Sequence, residues 1–164
     1  IELSTRILDE LSRIVDSRLE HFAAGGLSDI AHQRSTGERP MPYLVLLVDG
    51  YNVAMLAWPD LDLAGQRVVL LDAIENVARR YGCDITVVFD GAGVVGASAD
   101  RRRVVRVVFS PDDVIADDVL RDEVRRLPVT RAVVVVTNDQ QIVRDVRAMG
   151  ANTLSSDQLI ALMR

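Results

Sequence analysis

Apolar residues along this chain change their spacing near residue 43. Before it, Ile1, Leu8, Val15 and Phe22 recur every seven positions, with Leu11 between them. That spacing lines one face of a helix over Ile1–Phe22. Arg18 interrupts the second row, so packing on the neighbouring domain or a partner is favoured over a dimerising coiled coil. Ala23-Ala24-Gly25-Gly26 ends the helix, and a polar stretch from Ser28 to Pro42, with Gly37, Pro40 and Pro42, suits neither helix nor strand. Three regions are expected: an N-terminal amphipathic helix over 1–24, a linker over 25–42 and a domain over 43–164.

In the domain the pattern alternates between apolar runs and helical periods. Leu44–Val48 is continuously apolar, as in a strand covered on both faces. Gln66–Tyr81 places Leu70, Ile74, Val77, Ala78 and Tyr81 on one helical face, and Gly82 stops it. Ile85–Phe89 and Val104–Phe109 read as the second and third strands, separated by a Gly-rich stretch. Ala116–Leu127 reads as a helix, Ala132–Thr137 as a strand, Gln140–Met149 as a helix and Asn152–Leu154 as a short last strand. Ser155 and Gln158 have capping-box spacing for a terminal helix. Alternation of this kind predicts an α/β fold, a parallel sheet sandwiched by helices with right-handed crossovers.

Parallel topology gives the acidic residues a meaning, because ligands of open parallel sheets bind outside the carboxyl ends of the strands. Asp49-Gly50-Tyr51-Asn52 follows the first strand, Asp90-Gly91 the second and Thr137-Asn138-Asp139 the fourth, while Asp117-Asp118 opens the helix after the third. Each Asp alone suits a turn or a helix cap. Together on one edge they repel, and a divalent cation removes that repulsion. Oxygen ligands without His or Cys select Mg²⁺ or Mn²⁺ over Zn²⁺. Asn52 is a turn former or a phosphate-orienting group. Asn138 is a helix cap or a functional residue. Gly50 and Gly91 are turn glycines, or positions where backbone approaches a ligand.

Composition narrows the chemistry. The chain has 164 residues and a net charge of −5, and all nineteen basic residues are arginines. The missing lysine excludes a P-loop and Schiff-base catalysis. His21 and His32 both precede the domain, so no histidine base serves it. Cys83 is the only cysteine, which excludes an internal disulfide and a cysteine zinc cluster and fits a cytoplasmic setting. The apolar run Tyr43–Val48 is too short to cross a membrane, and the N-terminus carries no secretory pattern. A first residue of Ile suggests a piece of a longer protein. Arg101, Arg102, Arg103 and Arg106 form a local basic patch, either a solvated loop paired with acids or a phosphate track. Trp58 reads first as a loop anchor and second as a base-stacking platform.

Asp49-Gly50-Tyr51-Asn52-Val53, Val88-Phe89-Asp90-Gly91, Ala116-Asp117-Asp118 and Thr137-Asn138-Asp139, in that order, resemble the motif series of NYN domains, which belong to the PIN-like nuclease superfamily. Trp58-Pro59, Gly150-Ala151-Asn152 and Ser155-Ser156 resemble the YacP-like branch. The similarity spans about Leu44 to Leu162. It implies a metal-dependent endoribonuclease, or an RNA-binding domain derived from one, with Asp49, Asp117 and Asp139 as metal ligands. Asp90 and Asp118 become supporting acids, and Asn52 and Asn138 lie on the RNA side, with Asn138 standing where many relatives carry Ser. The branch includes chains acting on ribosome-bound messenger RNA.

The implied chemistry is hydrolysis of an RNA phosphodiester, with single-stranded RNA favoured because its backbone bends into a cleft. A haloacid-dehalogenase-type phosphatase fits poorly: it requires a second Asp where Tyr51 stands, and a Lys. A phosphoacceptor receiver domain also needs a Lys. An assembly module is the remaining rival, with the N-terminal helix pairing with another copy or another chain.

Overall fold

The computed structural model describes residues 6–7, 9–14, 44–91, 104–128 and 131–164. Five strands, β1 (Leu44–Asp49), β2 (Asp84–Phe89), β3 (Val105–Phe109), β4 (Ala132–Val136) and β5 (Asn152–Leu154), form one sheet in the order β3-β2-β1-β4-β5. All neighbouring strands are parallel. Five helices connect and cover them: α1 (Gly50–Ala57), α2 (Leu63–Tyr81), α3 (Ala116–Arg126), α4 (Gln140–Ala148) and α5 (Ser156–Met163).

The strand alternation sorts side chains into two cores. Leu44, Leu46 and Val48 of β1, with Val134 and Val136 of β4, join the helices α1, α2 and α5 on one face. Val45 and Leu47, with Val133 and Val135, join α3 and α4 on the other. A central strand buried on both faces needs apolar residues at every position, which is why β1 and β4 are unbroken apolar runs. Ile7 and Leu11 are buried in the first core, with Ile14 packed against it. The i, i+4, i+7 row Ile7–Leu11–Ile14 thus presses the N-terminal helical residues onto this domain. Leu11 belongs to the expected stripe; Leu8 and Val15 lie outside the described residues, as does the linker.

Local signals account for most element ends. Asp62 caps α2 by accepting from the Gly65 N–H at 2.8 Å, so the helix starts three residues before the expected Gln66. Gly82 ends it in the left-handed region at φ 63°. The capping box of Ser155 and Gln158 is present. Helix α1 was not expected, because Asp49-Gly50-Tyr51-Asn52 has the composition of a turn. Gly50 is there for space: an added Cβ would lie 2.4 Å from Phe89 Cε1. Burial of Val53 and Ala54 holds this short helix against the sheet. Trp58 follows it, half-buried against the same core, and its carbonyl accepts from Gln66 Nε2 at 3.0 Å. This is the anchoring role. Among the described residues, no helix is long and apolar enough to cross a membrane.

Candidate metal and RNA site

The connection from β1 runs to one side of the sheet, toward β2 and β3, and β4 and β5 lie on the other. The strand order therefore reverses between β1 and β4, and the crevice at their carboxyl ends is the natural ligand position of such a sheet. Asp49 closes β1 at that point, and Thr137-Asn138-Asp139 leaves β4 beside it. Asp90 follows β2, and Asp117 sits in the first turn of α3.

Asp49 is the most buried of these carboxylates. Burial pushes its carboxyl up to about 6, and the charges of Asp117 and Asp139 add to the rise. Hydrogen bonds from the Thr137 hydroxyl and the Asn52 backbone oppose it. Thr137 Oγ1 donates to Asp49 Oδ2 at 3.0 Å and accepts from the Asp139 N–H at 3.1 Å. One buried hydroxyl thus ties the end of β1 to the loop after β4. Burial also raises the Asp117 carboxyl, and Asp139, Asp118 and Asp90 reinforce this against Arg121. The acids of four separate segments are therefore within electrostatic reach of one another, and their net effect is repulsion.

Asp139, not Asn138, caps α4: its Oδ1 accepts from the Gln141 and Ile142 N–H groups at 2.8 and 3.1 Å. Asn138 serves α5 instead. Its Oδ1 accepts from the Ser156 N–H at 2.9 Å, and its Nδ2 donates to Asp157 at 3.2 Å. Asn52 Oδ1 accepts from the Asn138 N–H at 3.0 Å and from Ser156 Oγ at 2.6 Å. Because one of these donors is a backbone N–H, the amide orientation of Asn52 is set: oxygen toward the loop, Nδ2 left as a donor. Ser156 is fully buried. Replacing it with Ala removes one bond while Asn52 keeps the other, so Ser156→Ala should cost about 1 kcal/mol. Thermal unfolding should show this as a loss of roughly 2–4 °C.

The other expected residues are placed as follows. Asp118 bonds to Arg121 at 3.0 Å, and Arg121 also holds Asp145. Asp90 accepts a long bond from Ser110 Oγ at 3.4 Å. Arg106 forms a two-pronged pair with Glu123 at 2.7 and 3.2 Å, the acid-paired alternative for that arginine. Arg101, Arg102 and Arg103 lie outside the described residues. The freedom of Gly91 serves packing on Ser110, and that of Gly50 packing on Phe89. Cys83 is buried, and burial pushes its thiol up to about 11, which removes it as a nucleophile at neutral pH.

Sequence reasoning assigned no role to Thr137 or Ser156. A buried hydroxyl between a strand end and an acid is a signal for the first. The Ser155-Ser156 pair marks the second only as a family feature; its partner Asn52, 104 residues away, is set by the fold.

The donor set suits a hard cation: oxygen ligands only, mutually repelling, with one buried member, Asp49. Among the described residues, no group of three or more His, Cys, Asp or Glu side chains stands close enough to hold an ion as placed. The charge and donor type fit Mg²⁺ or Mn²⁺, and gripping it would require the carboxylates to turn inward. Asp139 has scope for this, since the cap engages only its Oδ1.

Two solved structures share this fold. The crystal structure of Rae1 (YacP) from Bacillus subtilis is 27% identical, covering 73% of this chain and 72% of that one, with a TM-score of 0.61. The crystal structure of a tryptophan-to-leucine mutant of the same Bacillus subtilis protein is 26% identical, covering 73% of this chain and 74% of that one, with a TM-score of 0.61. No curated protein matches this chain. The sequence profile of the YacP-like NYN domain matches residues 46–164. That match runs from within β1 to the end of the chain and takes in all four acidic segments, so the chain belongs to the YacP-like NYN domain family, with its PIN-like nuclease fold.

Proposed function

We propose that this chain is a divalent-metal-dependent endoribonuclease acting on single-stranded RNA. The observation that carries the reading is the carboxylate of Asp49, buried at the β1–β4 crevice and pushed up to about 6 with Asp117 and Asp139 adding to the repulsion. Burying like charges together is unfavourable, and binding a cation or a proton relieves it. Asp49, Asp117 and Asp139 would hold Mg²⁺ or Mn²⁺, with Asp90 and Asp118 as flanking acids. When bound, such an ion supplies Lewis acidity and a more acidic water, so the site needs neither His nor Lys.

The chain's own residues prepare the cleft. Thr137 aims its proton at Asp49 and favours the ionised form there. Asn52 presents its Nδ2 as a donor suited to a phosphate oxygen, with its orientation locked by Asn138 and Ser156. Asn138, engaged at both ends of its amide, positions that contact instead of making it. We assign Arg101, Arg102 and Arg103 to the phosphate backbone and keep Arg106 with Glu123. Burial of Ile7 and Leu11 in the domain's own core favours a helix that packs within the chain over one that requires a second copy.

A second reading, an RNA-binding domain without cleavage, is favoured by the separation of the carboxylates. End-labelled single-stranded RNA decides between the two. Cleavage with Mn²⁺ or Mg²⁺ that chelator abolishes supports the nuclease. Binding with no cleavage under any divalent ion supports the second reading.

A further inference from the structure

We propose that Arg67 contacts an RNA phosphate beside the acidic edge, with Tyr51 holding its guanidinium in place; the inference rests on the ribonuclease reading above. Most arginines around the sheet are neutralised by acids. Arg106 pairs with Glu123, Arg121 with Asp118 and Asp145, Arg125 with Asp122. Arg67 differs. Its Nη1 donates to the Tyr51 hydroxyl at 2.6 Å, and among the described residues no carboxylate pairs with it. A phenol fixes the group without cancelling its charge. The guanidinium has five N–H donors, so most of its fork remains for a planar, bidentate acceptor.

Its place follows from the topology. Helix α2 must return the chain from the carboxyl edge of β1 to the start of β2, so its early residues lie nearer the acidic edge than Arg79 and Arg80 at its far end. Tyr51 is two residues beyond Asp49, which keeps their Cα atoms within about 7 Å. The Tyr51 ring meets Phe89 edge-on at 5.1 Å, and Phe89 immediately precedes Asp90. Tyr51 thus links Arg67, through its hydroxyl, to the strand ends that carry Asp49 and Asp90, through its backbone and its ring on Phe89. An acidic site repels a polyanion, and a half-buried cation with its charge intact beside that site offsets part of the repulsion. The phosphate it holds would be one flanking the cleaved bond.

The test is equilibrium binding of a single-stranded oligouridylate to the full chain in chelator, across a salt series. Arg67→Gln should weaken binding about fivefold at low salt. It should also lower the slope of log affinity against log salt by about 0.7, the value of one lost single-strand phosphate contact. Arg67→Lys keeps the charge and should keep the slope. Tyr51→Phe keeps the ring on Phe89 and should give a smaller loss with the slope unchanged. An unchanged slope in Arg67→Gln, with wild-type RNA binding intact, overturns the proposal. So do equal losses and equal slopes in Arg67→Gln and Tyr51→Phe, which would leave Arg67 merely pinning the tyrosine. A wild-type chain that neither binds nor cleaves RNA removes the ribonuclease reading itself, and this inference with it.

Discussion

Asp49→Asn should lose cleavage of single-stranded RNA by roughly a thousandfold or more, a barrier increase of about 4 kcal/mol, and yet be the more stable protein without metal. The two effects share one cause. The carboxylate is raised from 3.8 in the unfolded chain to about 6 in the fold. A carboxyl with a raised folded value binds its proton more tightly when folded. Below pH 4 it is protonated in both states and contributes nothing. Between pH 4 and 6 the wild type loses stability as pH rises, and above 6 the full penalty is in place. Asn carries no charge to bury and still offers an oxygen to the Thr137 hydroxyl. The gain at pH 7 is on the order of 3 kcal/mol, or roughly 9 °C in melting temperature for a chain of this size.

The readout is a pair of measurements on one preparation. Melting in chelator across pH 4 to 8 should show the gap between variant and wild type opening up to pH 6 and closing toward pH 4. Turnover with Mg²⁺ or Mn²⁺ should vanish in the variant, and the stabilisation by added metal should shrink with its affinity. Wild-type-like cleavage by Asp49→Asn would place the nuclease activity elsewhere. A variant that melts lower at pH 7 would mean that the carboxylate makes favourable contacts outweighing its burial.

What could be read in advance was whatever depends on local period. Runs such as Leu44–Val48 and Ala132–Val136 have only one comfortable home, a strand covered on both sides, and two of them with helical periods between dictate a parallel sheet. From there the carboxyl-edge rule located the acids without any contact information. Chain ends of helices were legible where a cap was strong, as at Gly82 and at Ser155 with Gln158. Helix α1 was hidden because its stability comes from Val53, Ala54 and the Gly50–Phe89 approach, which are tertiary facts. The cap of α4 was misplaced by one residue for the same reason. Asn138 and Asp139 are equally good caps by type, and only the arrival of Ser156 from α5 draws Asn138 away. Arg106 was grouped with its neighbours by sequence proximity. The sheet instead sets it in register with Thr86 and leaves it within reach of Glu123 on α3.

Gly91→Ala should destabilise the domain strongly, and two opposing effects decide its size. Alanine restricts the unfolded chain and by itself favours folding by about 0.4–1 kcal/mol. Gly91 has no positive φ that would forbid alanine. Against this, the new Cβ would lie 2.1 Å from the backbone oxygen of Ser110. Backbone cannot rotate aside as a side chain can. Ser110 is held there by its N–H bond to the Phe89 carbonyl at 2.9 Å, and its Oγ accepts from the Gly91 N–H at 3.0 Å. Relief requires prising β2 and β3 apart at the end that carries Asp90, above the stacked Phe89 and Phe109 rings, 5.6 Å apart. Overpacking of this kind costs about 3 kcal/mol, so the clash wins. Gly150 is the comparison: nothing lies within 4 Å of its Cβ position, but its φ is +89°. Gly150→Ala should cost only about 1 kcal/mol, from backbone strain alone. Urea unfolding of both variants measures the difference. A Gly91→Ala chain as stable as Gly150→Ala would mean that the β2–β3 edge is far more yielding than its hydrogen bonds indicate.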